Sequence, residues 1–437
     1  MGLEINEFFY FVVCGGWLLS ASLLIASYLK YKIFTFFDVA VVMSWFFVFF
    51  RPLNIYSCDI KIDLYYWDEQ LYVLGALISI VGILVFQSFG LLASRRHLHF
   101  EFDLAFFKRG VNRISFFVFI CCCFVVLLMF LNFGEKVFPS NRGEGALSVS
   151  MPGLEIYYHI IRALTLVLMV MSLVSFLMFR GGVSLFYAVF SVAVLIIFAK
   201  RNAIIYPIAY SVFLYSAYYV YFLGKSFYSL VVKLVPMFLF LVFIAFFGKS
   251  FKSQDSFAFE APADGYSCQA VRLGMQEFDL FWPAVLEVGD DRVNAADLPG
   301  AVWGALAYDH ASRVESTNLS ITDKTMLEYN YENYVYRKFG ISPSIYQFYY
   351  YYFWWWGFCV LAAIAYLVRR FDFGLVRSFY CLRFGMFLFL LSFSKLLLSP
   401  FDFTIKYTVF EMVVFLMLYF FVVMCSNITR LMGRQLV

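Results

Sequence analysis

Long apolar runs separated by short polar connections make up almost the whole chain. Runs of membrane-spanning length lie at 8–29, 33–50, 71–94, 114–133, 155–179, 183–199, 203–223, 227–248, 347–368, 379–399 and 405–425. An α-helix rising ~1.5 Å per residue needs about 20 apolar residues to cross the hydrocarbon of a bilayer. The pattern therefore predicts an all-α, polytopic membrane protein with about eleven transmembrane helices. One connection is far longer than the rest. Residues 249–346 are hydrophilic, carry the turn signals DSFAFEAPADGYS, DLPG and SPS, and hold stretches of helical periodicity between them. The expected organisation is thus membrane helices over 1–248, a large loop over 249–346, and further membrane helices over 347–437.

Composition removes the soluble alternative. Of 437 residues, 63% are hydrophobic and 14% charged, where a soluble domain would carry about a quarter charged. Glu4 and Glu7 precede the first run in place of a basic segment, so that run reads as an uncleaved helix.

Lysine and arginine set the orientation. Lys30, Lys32, Arg95, Arg96, Lys108, Arg109, Arg113, Arg180, Lys225, Arg369, Arg370, Arg377, Arg430 and Arg434 fall on one side, which becomes the cytoplasmic one. Asp59, Asp63, Asp68, Glu69, Glu135 and Glu144 fall on the other. The N-terminus and the 249–346 loop are expected outside, and the C-terminus inside. No basic stripe interleaved with aromatics on a polar background appears, which argues against nucleic acid as a partner.

Lys200 and Arg201, in FAKRNAIIYP, break the charge pattern by lying between two apolar runs on the outer side. They suit an anionic partner at the rim; the alternative is snorkelling to lipid phosphates. Arg142, Arg272, Arg313 and Arg337 occupy outer connections. Guanidinium forks match phosphate oxygens, so Arg142, Lys200, Arg201, Arg272 and Arg313 together are candidates to cradle a diphosphate. For a base the loop offers His310, Asp279 and Glu277, with His159 on a helix. Glu155, His159 and Arg162 share one helical face, as an ion-pair ladder or as a ligand site. Lys395 and Glu411 flank an outer turn and could pair across it. Asp68 and Glu69 read as the cap of the following helix. The aromatic run YQFYYYYFWWW at 346–356 reads as an interfacial belt, with sugar stacking as the alternative. Neither a Walker motif, a dinucleotide fingerprint nor an HExxH pair is present, and no Cys/His spacing suggests a metal.

Three stretches carry a family resemblance. FAKRNAIIYPIAYSVF is similar to a helix–basic pair–helix junction with Arg201 at its centre. AVRLGMQEFDLFWPAVLEV with DLPGAVWGAL resembles the start of a large loop containing an Arg and an aromatic–Asp pair. FGISPSIYQFYYYYFWWWGFCVLAA resembles the segment that enters the next helix. Together they resemble bacterial O-antigen or exopolysaccharide repeat-unit polymerases of the Wzy type. Two positions depart from that pattern: Gln347 stands where the family often has an acid, and FWWWG replaces FGxxG. Arg142 and Gly153 also fit an Arg-x10-Gly spacing found in outer loops of some members.

The resemblance implies a membrane glycosyltransferase of the bacterial inner membrane. It would move a growing glycan from undecaprenyl diphosphate onto a lipid-linked repeat unit at the periplasmic face. No cofactor is implied, because the donor diphosphate bond drives the step. Arg142, Lys200, Arg201, Arg272 and Arg313 would bind the diphosphate, and Asp279 or His310 would act as base. A chain-length regulator is an implied partner beside the lipid-linked substrates and the bilayer. Two alternatives stay open. An O-antigen ligase would share the fold and the loop, and a flippase or transporter for lipid-linked sugars would be non-enzymatic. Cys58 and Cys268, the two cysteines outside apolar runs, could form a bridge in an oxidising compartment or stay as free thiols.

Overall fold

The computed structural model describes residues 2–50, 53, 69–94, 102–134, 154–198, 202–226, 228–230, 232, 298–300, 302, 345–398 and 408–424. Among the described residues the secondary structure is entirely helical. The elements are α1 (Gly2–Tyr31), α2 (Phe36–Trp45), α3 (Glu69–Gly90), α4 (Leu104–Phe133), α5 (Leu154–Phe179), α6 (Gly182–Phe198) and α7 (Asn202–Ala217). After the long hydrophilic connection come α8 (Ile345–Phe353), α9 (Gly357–Tyr380), α10 (Phe384–Leu397) and α11 (Thr408–Met424). Among the described residues, four stretches are long and apolar enough to cross a membrane: Phe9–Tyr31, Val73–Gly90, Leu104–Phe133 and Ile156–Phe179. Shorter apolar helices accompany them. Large apolar side chains point outward, among them Phe11, Leu131 and Met417. A surface of that kind is the signature of a protein solvated by lipid.

Two compact units emerge. The first comprises Met1–Ser94, Ala258–Arg370 and Ser394–Lys406. Its core joins α1, α2, α3, α8 and α9 through Phe9, Phe37, Ile80, Phe86, Tyr346 and Val368, and Leu298 of the long connection packs against it. Helices α1 and α2 form a hairpin whose turn passes through Lys32 at φ 61°.

The second unit comprises Arg95–Phe257, Phe371–Phe393 and Tyr407–Val437. Helix α5 lies at its centre and is mostly buried, whereas α4 turns most of its apolar surface outward. Met169, Leu195 and Ile208 join α5, α6 and α7. Buried hydroxyls bond back onto carbonyls one turn earlier, as in Thr165 to Ile161 (2.6 Å), Ser172 to Leu168 (2.6 Å) and Ser211 to Pro207 (2.7 Å). That pairing satisfies each hydroxyl without water, which an apolar surrounding requires.

The helices differ from the sequence expectation at three places. Helix α4 begins at Leu104, ten residues before the expected apolar start, because Asp103 caps it. Its Oδ1 accepts from the backbone N–H of Ala105 (2.8 Å) and Phe106 (3.1 Å). At 30 residues α4 is about 45 Å long, so Lys108, Arg109 and Arg113 ride on its first turns beyond the hydrocarbon thickness.

The expected span over 347–368 is broken. Helix α8 stops at Phe353, Trp354 takes a left-handed φ of 55°, and a 3-10 turn, Trp354–Trp356, leads into α9. Gly357 is required there: a Cβ would come within 2.5 Å of the Tyr349 carbonyl oxygen. Helix α9 then runs to Tyr380, so residues 369–378 are helix and not a connection.

The aromatic run also splits by role. Residues 345–352 are all buried, whereas Trp355 and Trp356 are 60% and 76% exposed. The tyrosines are core, and the pair of tryptophans faces outward. A nine-residue helix enclosed on every side must be apolar all round, and this one is apart from Gln347.

Candidate functional site

Arg142, Lys200, Arg201, Arg272, Asp279, His310 and Arg313, the residues the sequence offers for chemistry, lie outside the described residues, as do Cys58 and Cys268. Their neighbours in the chain are defined. Helix α6 ends at Phe198 and α7 begins at Asn202, so 199–201 join two apolar helices. Glu69 is the first residue of α3. On α5, His159 packs its ring against Phe410 (centroids 5.8 Å apart), with the half-buried Arg162 on the next turn.

Inside the first unit the structure brings together a polar group that the sequence did not reveal. Asp38 and Arg369 are each 1% exposed and form a two-pronged ion pair. Arg369 Nη1 donates to Asp38 Oδ2 (2.5 Å), and Nη2 donates to Oδ1 (2.7 Å). The remaining Nη protons go to Thr35 Oγ1 (2.6 Å) and Ser27 Oγ (3.0 Å). Asp38 also accepts from Ser27 Oγ (2.9 Å), and from the N–H (2.8 Å) and Oγ1 (3.1 Å) of Thr35.

The local sequence explains half of this. Thr35 precedes α2 and Asp38 lies three residues on, so the carboxylate reaches back to the Thr35 N–H as a capping box does. Arg369 arrives from α9 to neutralise it. Its guanidinium lies over the rings of Phe37 (4.2 Å) and Tyr31 (5.0 Å). Phe37 is fixed in turn by stacking on Phe86 at 4.5 Å and by the close approach of Gly90, where a Cβ would meet the Phe37 ring at 2.5 Å. The Tyr31 hydroxyl faces the carbonyls of Ala93 (2.8 Å), Leu91 (3.0 Å) and Gly90 (3.3 Å), and Lys30 donates to Leu91. Together they close the C-terminal end of α3, whose last carbonyls have no helical partner.

Both carboxylate oxygens and both terminal guanidinium nitrogens are engaged and rings cover the flat faces, while Arg369 Nε is buried without a hydrogen-bond partner. The group ties the α1–α2 hairpin to α9 and leaves no face for a substrate.

A second polar group lies in the other unit. Tyr210 is fully buried on α7 and donates to the Leu391 carbonyl at 3.4 Å. Asp372 (0% exposed), Glu411 (4%) and Tyr206 are close enough to act on it electrostatically. Tyr206 and Tyr210 are i and i+4 on the helix that follows Lys200–Arg201. Ionisable groups enclosed among membrane helices face the protein interior or a wet cavity, and mark functional positions more often than lipid-facing ones. Among the described residues no cluster of three His, Cys, Asp or Glu side chains is arranged to hold a metal ion.

The missed groups left faint signals. Asp38 stands alone in FFDVAVV, and a lone carboxylate in an apolar run needs a partner. Arg369 was hidden because RR at the end of an apolar run fits the charge asymmetry of a cytoplasmic connection. Compared with protein-family models, with curated proteins and with solved structures, the chain matches none.

Proposed function

We propose that this protein is a membrane glycosyltransferase of the repeat-unit polymerase type. It moves a growing glycan from undecaprenyl diphosphate onto a lipid-linked repeat unit at the outer face of the bacterial inner membrane. The observation that carries the reading is the basic pair Lys200–Arg201 between two apolar helices, together with the hydrophilic stretch 249–346 and its Arg272. A lipid diphosphate leaving group needs fixed cations at the membrane surface, where charge develops as the glycosidic bond breaks. Arg201, Arg272 and Arg142 hold the diphosphate, with Lys200 and Arg313 assisting. Asp279 or His310 takes the acceptor hydroxyl proton. The all-helical, lipid-solvated fold is consistent with this chemistry, and the topology that goes with it has about eleven spans, N-terminus out and C-terminus in.

The interrupted helix at Phe353–Gly357 favours a second reading, a transporter for lipid-linked sugars, because transporters often break helices around their binding sites. Deleting the gene separates the two. Under the polymerase reading, lipopolysaccharide collapses to core plus one repeat unit on a silver-stained gel. An undiminished ladder refutes it. Loss of every capped species, the single unit included, points to transport when repeat units stay on the inner face, and to a ligase when polymer accumulates on its outward-facing lipid carrier.

A further inference from the structure

Seven cations converge on one end of the second unit, and they do so around a common aromatic cluster. Phe102 packs on Phe107, Tyr218, Phe222 and Tyr380, and Phe107 packs on Phe179, Phe379 and Tyr380. The start of α4, the end of α5, the π-helical turn Tyr218–Phe222 after α7 and the end of α9 therefore meet at one level. The Tyr380 hydroxyl pins that level by donating to the Leu214 carbonyl at 2.7 Å.

From the rim of this cluster project Lys108, Arg109 and Arg113 of α4, Arg180 after α5, Lys225 after the π turn, Arg377 of α9 and Arg383 before α10. All seven are exposed, and none makes an ion pair with another described residue. Three are steered by rings: Lys108 over Phe179 (5.3 Å), Arg180 over Phe176 (5.6 Å) and Lys225 over Tyr219 (5.8 Å). The acid described at this end, Asp103, already accepts two backbone N–H groups as a helix cap.

We infer that this cation-ringed end of the second unit binds the phosphate headgroups of anionic phospholipids. Charge and placement both favour a phosphate headgroup. Helix α4 is longer than the hydrocarbon is thick, so its basic first turns stand at headgroup depth. Aromatic rings at that level hold the alkyl stems down while the charged ends reach the phosphates. Unlike a scattered set of interfacial lysines, these cations come from five separate helix ends, four of which the ring cluster locks into one layer. A headgroup bound there bridges those ends and stabilises the fold. The inference goes beyond the glycosyltransferase reading and is tested without glycan.

The test is the thermal melt of the purified full chain in mixed micelles with phosphatidylglycerol or with phosphatidylcholine. The expected result is a midpoint several degrees higher with phosphatidylglycerol, shrinking as salt screens the attraction. In the K108Q/R180Q/K225Q variant the difference should fall by more than half, and K108R/R180K/K225R should restore it. Equal midpoints for wild type in the two lipids overturn the inference, whether or not the variants fold. So does a full phosphatidylglycerol effect in the glutamine variant. If an acidic protein stabilises the wild-type chain while phosphatidylglycerol does not, the surface is a protein interface and the lipid assignment falls.

Discussion

Replacing Arg369 by alanine should cost about 3–5 kcal/mol of folded stability, because it strands the Asp38 carboxylate among apolar side chains without its counter-ion. The ion pair is enclosed, with 1% exposure on each side, so water does not soften the loss. Asp38→Ala should be comparably severe, leaving a guanidinium buried between Phe37 and Tyr31. The double replacement Asp38→Leu with Arg369→Met should recover much of the loss, since removing both charges removes the desolvation penalty as well. Fluorescence-detected size-exclusion after a heating series reads this directly. Single variants that melt with wild type would show that the pair does not hold the hairpin to α9. A double variant worse than either single would mean that the hydrogen bonds to Ser27 and Thr35 matter more than the charges.

The second large effect is on activity. Arg201→Ala and Arg272→Ala should each abolish long glycan chains while the protein remains inserted and folded. Losing one preorganised cation from a developing diphosphate costs on the order of 10²–10³ in rate, by analogy with the loss of one oxyanion-hole donor. Arg→Lys at either position should restore only part of the chain length, because a point charge cannot reproduce the two-pronged guanidinium grip. The readout is the length distribution of surface polysaccharide in a deletion strain complemented with each variant. Membrane levels of the protein are measured alongside. Wild-type lengths in both alanine variants would remove these residues from the site.

How much was legible in the sequence differs from one element to the next. Helices α1, α3, α5, α6 and α7 fall where runs of apolar residues put them, since nothing but helix pairs its own backbone polar groups in lipid. The break between α8 and α9 was not legible. It sits inside an unbroken aromatic run, and the signal is Gly357, whose need arises only from the Tyr349 backbone folded against it. The helical stretch 369–378 read as a connection because Arg369, Arg370, Asp372 and Arg377 look like polar punctuation. The fold turns Arg369 and Asp372 inward and leaves Arg377 exposed. The same tertiary choice hid the buried pair. Asp38 could be recognised as needing a partner, but a residue 331 positions away cannot be chosen without the packing that brings α9 to the hairpin. The diphosphate site comes instead from residue chemistry and family resemblance. Its seven residues lie outside the described ones, so that assignment rests on the sequence.

The most direct test of the central claim is extension of lipid-linked repeat units by the purified full chain in vesicles. The acceptor and donor are the same undecaprenyl-diphosphate-linked units, extracted from the deletion strain. The account predicts a ladder of longer lipid-linked glycans and one undecaprenyl diphosphate released for each bond formed, with no added nucleotide or metal and no ladder from Arg201→Ala or Arg272→Ala. Folded wild-type protein that leaves the units at their starting length would contradict it.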